Sequence, residues 1–122
     1  MKRETIRQRK LADLIKKEVS ITLEYKLKDP RKGFITITQV KVSGDLRIAF
    51  VYYTVLGEED QRKRSAEALE HSKNFIRSEL SNILKMRFVP ELRFFYDDSL
   101  DYSEHINDIL RRIKSDTGKG EN

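Results

Sequence analysis

The chain has no cysteine and no tryptophan, and only five glycines, two prolines and two histidines in 122 residues. Without cysteine there are no disulfides, no thiolate metal sites and no cysteine nucleophile, a pattern that suits a cytosolic protein. Five scattered glycines make no GxxxxGK[ST] or GxGxxG run, so a phosphate-cradling loop is not expected. Long apolar runs are missing too. The longest uncharged stretch, Ile48 to Gly57, is ten residues, far below the roughly 20 of a membrane span. The opening MKRETIRQRKLADL has no apolar segment of the kind that directs secretion. Neither His71 nor His105 has a Ser/Asp partner at a recognisable spacing, so no catalytic triad can be drawn.

What is present is charge. Charged residues make up 37% of the chain, 25 basic and 20 acidic. The mixture, with clear apolar periodicity, describes a folded domain rather than disorder. The signs are not spread evenly. Residues 1–28 are net +5, 29–60 are net −1, 61–93 are net +4, and the remainder is net −3. Two basic blocks around a neutral one raise the expectation of a polyanionic partner. The competing explanation is a merely solvated basic face, as in a protein-interaction module.

Periodicity predicts an α+β domain over residues 1–114 and a flexible tail over 115–122. Leu11, Leu14, Ile15, Val19, Leu23 and Leu27 form one helical stripe, which Asp29-Pro30 stops. Phe34 to Ser43 and Leu46 to Leu56 read as a hairpin turned at Gly44-Asp45. In the first of these strands Ile35 and Ile37 point one way and Val40 and Val42 the other, so a bulge near Gln39 or burial of both faces is expected. Residues 62–88 read as helix, with Ala66, Leu69, Ile76, Leu80, Ile83 and Leu84 in phase. A straight helix of that length would run about 40 Å, in a globule only roughly 35 Å across. The polar Ser72 and Lys73 interrupt the apolar stripe, and Asn74 tolerates left-handed geometry. A break is therefore predicted at Ser72-Lys73-Asn74, with Phe75 turned inward. Glu91 to Tyr96 is a third strand, and Ile106, Ile109, Leu110 and Ile113 mark a last short helix. The architecture is three strands in a mixed sheet with helices on one face.

Two surfaces could carry chemistry. Asp97, Asp98, Asp101 and His105 could ligate a hard metal in a small metal-dependent hydrolase, although acids at a helix start are also favoured by its dipole. The predicted break, with Lys73, Asn74 and Arg77 around it and Lys85 and Arg87 beyond, would expose backbone N–H groups to phosphate. KH domains do this with a GxxG loop, which is absent here.

The ordered set Lys28-Asp29-Pro30-Arg31, Val40 to Leu46, Ala49-Phe50-Val51-Tyr52, Phe75 to Leu80 and Arg87 to Phe94, continued by Asp97 and Ser99, resembles ribosome-binding factor A, a bacterial small-subunit assembly factor. The resemblance spans roughly residues 5–110. It implies a type II KH-like fold of order α-β-β-α-(kink)-α-β, with no catalytic role and no cofactor. It further implies a cytoplasmic monomer that binds the small (30S) ribosomal subunit and its 16S rRNA. Its place would be late maturation, assisting 16S rRNA 5′-end processing, with a part in cold adaptation. The family commonly has Ala-x-Gly where this chain has Ser72-Lys73-Asn74. On this reading Arg3, Arg7, Arg9, Lys10, Arg31, Lys32, Lys73, Arg77 and Arg87 contact rRNA phosphates, and Ser72 to Asn74 form a kinked platform. No metal, membrane or small-molecule substrate is implied.

Overall fold

A computed structural model describes residues 3–99 and 111–112 of the chain. The predicted last helix on Ile106, Ile109, Leu110 and Ile113, and the tail at 115–122, lie outside the described residues apart from Arg111 and Arg112. The first helix, α1, spans Ile6–Ile21 and opens with a capping box. The Gln8 N–H donates to Thr5 Oγ1 at 3.1 Å, and the Thr5 N–H donates back to Gln8 Oε1 at 2.8 Å. The Gln8 amide also donates to the Val42 carbonyl at 2.9 Å, tying the start of α1 to the end of the first strand. The helix then loosens into one π-helical turn, Thr22–Lys26. The Lys32 ammonium donates to the Leu23 and Leu27 carbonyls, satisfying acceptors that a helix end leaves open.

Strands β1 (Ile35–Val42) and β2 (Ile48–Val55) pair antiparallel. The bulge is present: Ile37 faces Tyr53 and Gln39 faces Tyr52, leaving Thr38 as the extra residue. The insertion switches parity, so Ile37, Val40 and Val42 are all buried. Helix α2 (Glu59–Leu84) then crosses the sheet and delivers β3 (Glu91–Tyr96) parallel to β2, the kind of pairing that requires such a crossover. Sheet order is β1-β2-β3. Burial in β2 alternates strictly. Ala49, Val51, Tyr53 and Val55 join Ile15, Val19, Leu69, Ile76, Leu80 and Leu92 in one core beneath the helices.

Two expectations are corrected. First, α2 does not break at Ser72-Lys73-Asn74; the backbone is helical through all three. Leu46 and Lys85 are the only non-glycine residues with positive φ among those described. A helix longer than the globule need not break, because its ends overhang. Only the stretch from Ser65 to Leu80 is buried, about 24 Å of the helix's roughly 39 Å. Ser72 is small enough to sit buried in the core-facing stripe, and Lys73 turns aside to pair with Glu70 at 3.0 Å. Phe75 stays 41% exposed rather than turning inward. Second, Leu14 is 37% exposed and Ala12 takes its place in the core, because α1 presents Ala12, Ile15 and Val19 to the sheet. Continuity of α2 has a measurable consequence. Asn74 is an exposed mid-helix position, so Asn74→Ala is expected to exceed Asn74→Gly in stability by about 0.8–1.0 kcal/mol in urea titration. The opposite order would restore the break.

The start of α2 is fastened to the loop between the π-helical turn and β1. Ser65 Oγ donates to the Lys32 carbonyl at 2.7 Å, and the Gln61 amide donates to the Arg31 carbonyl at 3.0 Å. Gly33 lies under Gln61 with φ +60, and an added Cβ there would meet the Gln61 amide nitrogen at 2.4 Å. The positive φ favours glycine at 33, and a Cβ there would push the end of the Gln61 side chain off the Arg31 carbonyl.

Candidate nucleic-acid interface

The two basic blocks of the sequence meet where residues 26–31 pass the middle of α2. Lys26, Lys28, Arg31, His71, Ser72 and Phe75 are among the residues lining an open groove there of about 580 Å³. Its floor is the Asp29-Pro30-Arg31 turn. The Arg31 guanidinium donates to both Asp29 carboxylate oxygens, Nε to Oδ1 at 3.0 Å and Nη2 to Oδ2 at 2.7 Å, and the Arg31 backbone N–H adds a third bond at 2.9 Å. Glu67 approaches the same guanidinium at 3.8 Å. Donation from the Arg31 side chain, and then from its backbone, holds the Asp29 carboxyl down at about 2 against an ordinary 3.8.

A carboxyl lowered on folding stabilises the fold above its ordinary value, and that contribution is lost as pH falls toward the lowered one. Asp45 and Asp97 are lowered in the same direction, each chiefly through a serine hydroxyl. The urea midpoint is therefore expected to drop between about pH 4 and pH 2. Asp29→Asn should drop less steeply over that window than the parent. Equal slopes would show that the Arg31 clasp adds nothing.

The predicted phosphate-binding residues do not all stand alike. On α1 the side chains of Arg7 and Lys10 are exposed, and neither makes an ion pair among the described residues. Arg3 is exposed as well, and Arg9 is exposed with a loose contact to Glu4 at 3.7 Å. Arg31 is clasped by Asp29. Lys32 is half-buried, with its ammonium committed to two carbonyls. Lys73 pairs with Glu70, and Arg77 donates to the Val89 carbonyl at 2.8 Å. Arg87 lies over the Phe88 ring at 5.4 Å. The predicted platform of free backbone amides at Ser72 to Asn74 is not formed, because a continuous helix uses those amides internally. Ser72 is buried and Asn74 exposed. Sequence reasoning passed over Lys28, His71 and the exposed Phe75 as parts of one groove; only the fold brings residues 26–31 against α2.

The alternative acidic site is divided. Asp97 accepts from Thr38 Oγ1 at 2.6 Å and from the Ser99 N–H at 3.0 Å, which makes it a brace between β3 and the β1 bulge. Asp101 and His105 lie outside the described residues. Among the described residues no three His, Cys, Asp or Glu side chains gather as a metal site, and no helix is long and apolar enough to cross a membrane.

Comparison with known proteins follows the same outline. Residues 7–110 match the family model described as ribosome-binding factor A. The protein of that name from Macrococcus caseolyticus is 46% identical over 112 residues, covering 92% of this chain and 98% of its own. That from Citrifermentans bemidjiense is 50% identical over 107 residues, covering 88% and 90%. A solution NMR structure from Thermotoga maritima superposes with a TM-score of 0.69 at 34% identity, covering 81% of this chain and 94% of that one. The crystal structure of ribosome-binding factor A from Thermus thermophilus gives 0.66 at 25% identity, covering 73% and 93%.

Proposed function

Because the chain belongs to the ribosome-binding factor A family, we propose that it binds the small ribosomal subunit through 16S rRNA during late maturation. In this role it assists processing of the rRNA 5′ end and supports growth in the cold. The family match along nearly the whole chain carries this reading. The layout of charge supports it: Arg7, Arg9 and Lys10 are exposed on α1 with Arg3 just ahead of it, Lys28 lines the groove, and Lys73 and Arg77 lie on α2 with Arg87 just beyond it. These cations act on phosphate, which positions a protein on RNA without reading its sequence. Arg31 reaches phosphate only by leaving Asp29, and Lys32 only by uncapping the π-helical turn, so both contribute least. The protein works as a cytoplasmic monomer, with no catalytic group of its own and no cofactor.

Co-sedimentation is the test. The full-length protein is expected to pellet with free small subunits and to stay in the supernatant with assembled ribosomes. Failure to pellet with free subunits would overturn the reading. Cells lacking the protein should accumulate 5′-extended 16S rRNA at low temperature; normal processing there would remove the maturation role.

A further inference from the structure

The helices cover one face of the sheet, and among the described residues nothing packs on the other. That face carries three rings in contact. Phe50 and Tyr52 lie on the central strand and Phe95 on β3, with centroids 6.2 Å apart for Phe50–Phe95 and 5.7 Å for Tyr52–Phe95. Phe95 is 44% exposed. Strand register sets their neighbours. One cross-strand row reads Lys41, Phe50, Arg93, and the next reads Gln39, Tyr52, Phe95. Lys41 and Gln39 are exposed on this side because Val40 and Val42 point into the core. The bulge at Thr38 places Gln39 there; without it the parity of β1 would bury that side chain. Among the described residues Arg93 keeps only a loose contact with Glu91, at 3.5 Å.

We propose that this open sheet face is a stacking platform for unpaired nucleobases of RNA, with Phe50, Tyr52 and Phe95 as the rings and Lys41 and Arg93 as the flanking phosphate contacts. The proposal rests on RNA being the partner, but it places a second contact on the side of the molecule away from the groove. Every base has a π-face, so rings on a flat sheet accept bases with little sequence preference. Cations at both ends of the Phe50 row sit where a backbone leaving a stacked base would pass. An apolar helix would be a poor occupant: it needs a continuous aliphatic surface, whereas these rings are bordered by Lys41, Gln39, Thr36, Thr54 and Arg93, and the one aliphatic neighbour in the row beyond Phe50, Ile48, is paired with the acidic Glu91.

The test uses the full-length protein and two fluorescein-labelled single-stranded RNAs of roughly eight nucleotides, one with bases and one abasic, titrated by anisotropy at one salt concentration. The parent should bind the base-bearing strand at least about tenfold more tightly than the abasic one. Phe95→Ala and Phe50→Ala should each weaken binding of the base-bearing strand about five- to hundredfold and leave the abasic strand unchanged. Phe95→Leu, which keeps the apolar area but not the ring, should lose the preference as well, and it serves if the alanine variant folds poorly. Equal binding of both strands by the parent would overturn the proposal. So would a Phe95→Ala variant that keeps the preference but melts several degrees lower, since the face would then be packed against the chain's own remaining residues. A parent that pellets with small subunits but shows no base preference refutes the platform and leaves the proposed function standing. A parent with base preference that does not pellet refutes the function and leaves the platform.

Discussion

Leu80→Ala should lower the unfolding free energy by about 2–5 kcal/mol. Leu80 is 1% exposed and closes the buried stretch of α2 against the sheet, next to Ile76 at 0%. Truncation there removes apolar contact area and leaves a cavity that a helix held against the sheet from Ser65 to Leu80 cannot move to fill. In a domain of this size such a loss is a large share of a total stability of roughly 5–15 kcal/mol. Urea titration of parent and variant measures it. Lys85→Ala is the control and should stay within about 0.5 kcal/mol. Lys85 already ends the helix at φ 51, and alanine there bears the same left-handed geometry. Lys85→Gly would relieve that geometry and gain about 1 kcal/mol. Comparable losses at Leu80 and Lys85 would mean that the face of α2 turned to the sheet is misassigned.

The residues that could be read in advance were those whose signal is local. Ile35 and Ile37 against Val40 and Val42 announced a change of parity, and the extra residue is Thr38. Pro90 before an apolar stretch placed β3 at Glu91–Tyr96, where it lies. What stayed hidden depends on what packs where. Ser72 reads as a polar interruption in sequence, yet a small side chain in the core-facing stripe costs little. Lys73 reads as a second interruption until Glu70, one turn back, is seen to hold it. Leu14 fits the period as well as Ala12 does, and only the angle at which α1 lies on the sheet decides between them. The candidate site suffers most from this. Arg31 and Lys32 look like free cations in the string of letters. In the fold one is clasped by Asp29 and the other caps a helical turn. Phe50, Tyr52 and Phe95 are scattered in the string of letters, and only the strand register puts all three on the sheet face away from α1 and α2.

That difference between committed and uncommitted cations sets the second large effect. Binding to free small subunits should fall steeply with salt. With about five phosphates neutralised, the slope of log affinity against log salt should be near −4, at −0.7 to −0.9 per contact. Raising salt from about 50 to 200 mM would then cost roughly two orders of magnitude in affinity. Arg7→Ala together with Lys10→Ala should flatten the slope by about 1.5, because both side chains are exposed on α1 and make no ion pair among the described residues. Lys32→Ala should behave in the opposite way. Its ammonium donates to the Leu23 and Leu27 carbonyls, so its removal should lower the melting temperature and leave the slope unchanged. Titrations of the parent and these variants at four or more salt concentrations separate the two roles. A parent slope near zero would remove phosphate contact as the source of affinity. A Lys32→Ala slope as flat as that of the α1 double variant would mean that the lysine abandons its carbonyls for RNA, and that the π-helical turn opens when the subunit binds.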